Sequence, residues 1–487
     1  MTLSLRALNG DATAVQDSEF EWLRSLVQEL ITPESPEYDE ARAIWNGMID
    51  RRPGLIARCQ DREQVAHAVR FARDHELLVA VRGGGHNIAG NAVCDGGLVI
   101  DLSTMTDVEV DQARGTVRVQ PGCTLADVDR ETQAHGLAVP LGINSTTGIS
   151  GLVLGGGFGW LSRQHGMTVD NLLSAEVVTA DGQIVRASET ENPDLFWGIR
   201  GGGGNFGVVT SFELRLHQVG PEVLSGLIVH PFEDAADVLR FYREFASTLP
   251  DETVVWVMMR KAPPLPFLPE EWHGREVVVL AAFHGGEIRE GEKILEPLRR
   301  FGRPIADVIG PHPYTGWQQA VDPLLTPGAR NYWKSHDFLE LNDAFLDTLI
   351  HSAGRLPSSE CEIFIAQVGG AINRVAGNAT AYPHREAEFI MNVHARWSEP
   401  SDDGACTLWA RDLFREAAPH ATGGVYVNFM PEDERDRMRG AYGPNYERLV
   451  TLKTRYDPTN LFRMNQNIEP EGSDGIGPIV TATPVPA

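Results

Sequence analysis

Short apolar runs alternate with amphipathic ones between Arg52 and Leu216. Leu55–Cys59, Leu78–Arg82, Gly97–Leu102 and Thr116–Val119 have the length and β-branched content of strands. Asp61–His75 places Val65, Val69 and Ala72 on one helical face, and Thr124–His135 reads as a second helix. Beyond Leu216 the pattern changes. Gly226–His230 and Glu276–Phe283 predict longer antiparallel strands, separated by helices over Glu233–Thr248 and Glu290–Arg300. Cys361–Val368 alternates as a strand, and Pro383 signals a helix over His384–Trp397. The class is α+β, with a second domain whose antiparallel sheet is covered on one face by helices. Ala262–Pro269 is a proline-rich surface loop, Glu471–Ala487 an aperiodic tail, and no internal repeat is found.

Glycine interrupts this pattern in three loops. In VAVRGGGHNIAGNAV (Val79–Val93), three glycines at a strand end let backbone N–H groups approach an anion. His86 projects from that turn, and loop chemistry alone reads it equally as a hydrogen-bonded turn residue or a reactive group. In the second loop (Pro140–Gly166), Asn144, Ser145, Thr146 and Thr147 precede two glycine clusters that turns alone explain poorly. In the third, Gly202, Gly204 and Gly207 match the spacing G-x-G-x-x-G. That motif requires a helix to follow, yet Val208–Leu214 is β-branched and alternating, so a nicotinamide-dinucleotide reading fails.

Charge and composition narrow the partners. The 487 residues are enough for roughly three domains' worth of chain. A formal net charge of −25 disfavours nucleic acid and membrane surfaces as partners. No window resembles a membrane span, the N-terminus lacks a basic and apolar leader, and five scattered cysteines fit a reducing cytoplasm. No metal site is expected.

The three loops, together with RPGLIARC (Arg52–Cys59), LVIDLS (Leu98–Ser103) and NPDLFWGIRGGGGNFGVVTSFEL, resemble the FAD-binding domain of the vanillyl-alcohol-oxidase/p-cresol-methylhydroxylase (PCMH) superfamily. The C-terminal Tyr442–Ile468 is similar to the signature of its berberine-bridge-enzyme branch. The resemblance implies four segments. Residues 1–217 form an N-terminal segment and a two-subdomain PCMH-type FAD domain, 218–439 a substrate domain, 440–470 a segment returning to the FAD domain, and 471–487 a tail.

By the same resemblance, His86 bonds the flavin 8α-methyl group. The position of the family's second, cysteinyl link holds Asn144, so a single histidyl link is implied, which favours smaller substrates. FAD contacts are implied for Arg82, Gly83, Gly84, Gly85, His86, Asn87, Asn144, Thr146, Thr147, Gly148, Ser150, Gly151, Gly155, Gly156, Val209, Asn465 and Asn467. Thr147 stands where the family's oxidases usually hold Val beside the flavin, which leaves oxidase against dehydrogenase open. Phe158 replaces a helper Tyr found in other relatives. The family's Y-x-N strand corresponds to GGVYVNFM (Gly423–Met430), which puts Tyr426 and Asn428 on one sheet face with Tyr426 the proton acceptor; the site must then lower its ordinary pKa of about 10. Glu362, Phe364, Tyr332 and Trp333 are the pocket candidates.

The implied activity is FAD-dependent hydride abstraction from a small alcohol, amine or hydroxylated heterocycle, with O2 reoxidising the flavin to give H2O2. A dehydrogenase or oxidative cyclase with another acceptor, or a flavin carrier without turnover, are the alternatives. The oligomeric state stays open.

Overall fold

In the computed structural model, residues 3–472 are described. Three sheets carry the chain. The first orders Glu29–Ile31, Leu55–Arg58, Leu98–Asp101 and Val79–Arg82, the last three parallel. Val79–Arg82 and Leu98–Asp101 pair in step from Val79↔Leu98 to Arg82↔Asp101, so the Gly83–His86 loop leaves from the sheet's end. Helix Arg62–Asp74 is capped by Asp61, which accepts the Gln64 N–H at 2.8 Å, and buries Val65, Val69 and Ala72.

The second sheet is antiparallel, in the order Ile184–Ser188, Leu172–Val178, Val208–Arg215, Thr116–Val119 and Val108–Asp111. The chain after Gly207 is therefore a strand, as the sequence indicates.

The third sheet is eight-stranded and antiparallel, with Thr253–Lys261, Glu362–Gln367, Phe389–Trp397 and Arg330–Phe338 as consecutive neighbours. One face packs Val255, Val257, Ile363, Ile365, Met391 and Val393 against helices Ala235–Ala246, Asp343–Ala353 and Asp403–Ala417. The opposite face turns Trp256, Phe364 and Ile390 toward Phe158, Trp160 and Tyr426.

Two expectations are corrected. Phe389–Trp397 is a strand rather than part of a helix, and all nine residues are buried. Met391–Trp397 alternates apolar and polar residues, the period of a strand, and that alternation outweighs the helix-start signal of Pro383. Pro383 begins a loop, not a helix. Gly423–Met430 is not a strand either: Val427–Phe429 is a 3-10 turn, because the chain bends to bring the Tyr426 and Asn428 side chains together. Ala262–Pro269 is a loop that buries Ala262 and Leu268 against Val229, Val277 and Val279. The expected tail lies outside the described residues beyond Gly472. Among the described residues, no helix is long and apolar enough to cross a membrane.

Candidate active site

The glycine loops pack backbone against backbone. A Cβ on Gly84 would sit 2.5 Å from Gly148 Cα, and one on Gly148 would sit 2.5 Å from Gly84 N. Only glycine permits this approach. A Cβ on Gly155 would come within 2.2 Å of Asn428 Oδ1, so the second loop also seats the Tyr426–Asn428 turn. The C-terminal segment is anchored by buried Lys453, which donates to Asp457 at 2.7 Å, Asn205 O at 2.9 Å and Phe462 O at 3.0 Å. Met464, Asn465 and Gln466 thereby reach the same place.

These loops and the bare face of the third sheet enclose a cavity with about 1940 Å³ of atom-free space, partly open to solvent. Gly83, Gly84, Gly85, His86, Asn87, Asn144, Thr147, Gly148, Ser150, Gly151, Gly155, Val209 and Asn465 stand on its wall, and so do Tyr426, Asn428, Glu362, Phe364 and Trp333.

Five candidates stand off that wall. The Arg82 guanidinium turns back to donate to Ala41 O. The Thr146 hydroxyl donates to Asn144 Oδ1 at 2.7 Å. Gly156 lies behind the Tyr426 ring and Met167. Asn467 falls after the chain has turned inward, where the Ile468 N–H donates to Asn205 Oδ1 at 2.9 Å. Tyr332 is on the strand's other face, donating to Asp433 Oδ2 at 2.7 Å and accepting from Arg411 Nε at 3.0 Å. Period-two geometry sends Trp333 inward and Tyr332 outward.

His86 is clamped by Trp45, whose ring stacks on the imidazole at 4.3 Å and 23°. Burial lowers the ring's pKa to about 4, so His86 is neutral at physiological pH. Its Nε2 is buried without a hydrogen-bond partner. A neutral imidazole with a free lone pair is a nucleophile.

Tyr426 Oη accepts the Gly157 N–H at 2.9 Å and the Asn428 amide at 3.1 Å. Burial raises the phenol, and these two donors offset it only partly, leaving it at about 12. The expected lowering is thus absent, because both hydrogen-bond partners of the oxygen are neutral donors rather than cations.

Across the cavity, Glu362 Oε2 accepts from Arg260 at 2.8 Å and Oε1 faces His394 Nδ1 at 3.1 Å. Burial opposes its ionisation, but Arg260 and His394 outweigh burial and hold the carboxyl at about 2. It is therefore a fixed anion rather than a proton acceptor. The strand's facing is decided here: Glu362 and Phe364 look into the cavity, while Ile363 and Ile365 pack under the helices. Asn392 and His394 also line the cavity, and both fall in the segment misread as a helix. Trp45 lies ahead of every glycine loop and carries no sequence signal of its contact with His86.

The donor set fits a flavin nucleotide. Asn144 Nδ2, Asn465 Oδ1 and His86 Nε2 are buried without partners beside a cradle that side chains would fill. Residues 53–188 match the FAD binding domain family, and residues 425–469 match the family "berberine and berberine like". Fold and site together define a flavin-dependent oxidoreductase.

An FAD-linked oxidoreductase of Dictyostelium discoideum is 32% identical over 441 residues, 90% of this chain and 93% of its own. The (R)-6-hydroxynicotine oxidase of Paenarthrobacter nicotinovorans is 31% identical over 466 residues, 92% and 98% of the two chains. The solved 6-hydroxy-D-nicotine oxidase from Arthrobacter nicotinovorans matches with a TM-score of 0.81 at 29% identity, covering 91% of this chain and 98% of that one. The xylooligosaccharide oxidase from Myceliophthora thermophila C1 matches with a TM-score of 0.80 at 26% identity, covering 93% and 99%. The chain belongs to the berberine-bridge-like FAD-linked oxidoreductases of the PCMH superfamily.

Proposed function

We propose that this enzyme is an oxidase, removing a hydride and a proton from a small alcohol, amine or hydroxylated heterocycle, with FAD tethered through His86. The observation that carries this reading is the pairing of a half-buried, neutral His86, its Nε2 buried without a partner, with a Tyr426 whose oxygen receives two donors on the same cavity wall. FAD, when bound, accepts the hydride and passes the electrons to O2, giving H2O2.

The remaining chemistry is this chain's own. The Gly84–Gly148 contact and the amides of Asn144 and Asn465 hold the cofactor. Tyr426, as its phenolate, takes the substrate proton and becomes neutral; the Gly157 N–H and the Asn428 amide stabilise the charge its oxygen carries before the transfer. Asn144 carries no thiol, and Cys123 stands away from the cavity with its sulfur toward Asp107 O, which supports a single link. Thr147 on the wall favours a second reading, a dehydrogenase or oxidative cyclase with another acceptor. The enzyme's place is the cytoplasm, a reading supported by five buried free cysteines.

The test begins with denaturation of the purified yellow protein. Flavin should stay with the polypeptide, His86→Ala should release it, and the flavopeptide should contain His86 and no second peptide. Quantitative release from wild type overturns the covalent link. Anaerobic bleaching by a panel of alcohols, amines and phenols, then recolouring in air, tests turnover and acceptor. Bleaching without rapid recolouring selects the dehydrogenase reading, and no bleaching by any compound overturns the enzymatic proposal in favour of a carrier.

A further inference from the structure

The half of the cavity between Phe158 and the third sheet is an aromatic box with two unsatisfied polar groups, the Trp333 indole N–H and Asn392 Oδ1. Phe158 meets Trp256 at 6.1 Å, Tyr426 at 4.9 Å and Phe429 at 5.9 Å, all edge to face. Trp256 meets Phe364 at 5.2 Å and Phe429 meets Trp333 at 5.5 Å, again edge to face. Rings braced this way are rigid walls for a flat apolar body, and they offer few partners to a polyhydroxylated one.

The polar groups behind the box are mostly spent on one another. Glu362 is committed to Arg260 and His394, and the other nitrogen of His394 faces Asn331 Oδ1 at 3.3 Å. The Asn331 amide is itself oriented by its donation to Ala329 O at 2.8 Å. The exceptions are the Trp333 indole N–H, buried without a partner, and Asn392. Strand pairing sets it opposite Phe364 in the sheet, it lines the cavity, and it is only 4% exposed. Its Oδ1 is buried without a partner. An amide left so inside an apolar box costs free energy until a ligand supplies its hydrogen bond.

We propose that the substrate is a flat cyclic molecule, mainly apolar, bearing one hydroxyl or N–H group that Asn392 binds. This rests on the FAD oxidoreductase reading, with the cofactor against the Gly84–Gly148 contact, and it selects aromatic compounds over oligosaccharides.

The test uses the flavin-loaded enzyme with 2-naphthol, 2-methoxynaphthalene and xylobiose as probes, following the flavin spectrum and tryptophan quenching. Naphthol should bind about tenfold tighter than its methyl ether, the worth of one buried hydrogen bond, and xylobiose should leave both signals unchanged. Asn392→Leu should erase the preference between the two naphthyl compounds. Asn392→Ala carries the same expectation should leucine disturb packing. Phe364→Ala should weaken both naphthyl probes and preserve their ratio. Xylobiose binding as tight as naphthol overturns the proposal. So does a naphthol preference that survives in a folded Asn392 variant. An enzyme purified without flavin overturns the cofactor reading instead, and tryptophan quenching still reports the preference of the box.

Discussion

At the residue scale, Tyr426 is the proposed proton acceptor. Its oxygen receives two neutral donors, yet burial holds it at about 12, so the phenolate is scarce near neutrality. The rate of substrate-driven flavin bleaching should therefore climb with pH toward that value. Tyr426→Phe keeps the ring against Phe158 and Phe429 and removes the oxygen. It should slow bleaching by ~10²–10⁴-fold and flatten the pH dependence, with substrate affinity nearly unchanged. Stopped-flow reduction of wild type and variant decides this, and a variant within about threefold of wild type places the proton acceptor elsewhere. Glu362 is no substitute, since Arg260 and His394 hold its carboxyl at about 2 and leave the carboxylate too weak a base. His86 was legible from its glycine turn. The Trp45 ring that orients it was not, because that contact joins segments whose neighbours in sequence give no sign of it.

Elements meet in this protein through small residues and buried amides. Gly84→Ala inserts a methyl group 2.5 Å from Gly148 Cα, where backbone faces backbone and nothing flexible can yield. The two loops must part, at a cost of about 1–3 kcal/mol. Both Tm and the ratio of flavin to protein should fall; an unchanged ratio would detach the loop contact from cofactor binding. Helix Leu125–Gln133 meets helix Tyr314–Gln318 through Asp129, which is 1% exposed and receives Gln318 Nε2 at 3.1 Å. Its other oxygen has no partner, and burial raises the carboxyl from 3.8 to about 7. Raised in the fold, this group contributes stability below 3.8 that is lost as pH climbs through 7. Asp129→Asn should therefore raise Tm at pH 8 and give a smaller gain in acid. Scanning calorimetry at both pH values checks it, and equal gains would mean the carboxylate carries no such cost.

The whole molecule titrates in the opposite sense on its acid side. Burial lowers His217 and His336 from 6.5 to about 4, so the fold prefers both rings neutral. Their contribution is present above 6.5 and is lost as pH falls toward 4. Many of the 67 acidic side chains titrate over the same range, so the histidine effect needs a matched variant. His336→Gln retains a group able to bond Phe414 O, now 3.0 Å from His336 Nε2, and carries no titrating ring. Its Tm should drop less than wild type's between pH 6.5 and 4. Parallel curves for the two proteins would remove His336 from the acid limb.

Local backbone demands were written in neighbouring residues. The glycine loops and the strand after Gly207 follow from what a short stretch can or cannot adopt, whereas the return of the C-terminal segment and the residues of the cofactor half were implied by the family resemblance those loops carry. The substrate half was decided by tertiary structure. Whether Glu362 or Ile363 faces the cavity depends on which side the helices cover, and alternation alone is symmetric between the two. Tyr332 and Trp333 are separated by the same rule. Asn392 and His394 hold the polar positions of the Met391–Trp397 alternation, a strand period passed over when Pro383 is read as a helix start, and their facing was set by the helices that cover Met391 and Val393. Tyr426 and Asn428 were found from their motif on the wrong element: a 3-10 turn brings their side chains together where a strand was expected. Cofactor binding was legible because it needs particular backbones. Substrate choice was not, because it needs particular faces, and a face is fixed only when distant strands pair and one side is covered.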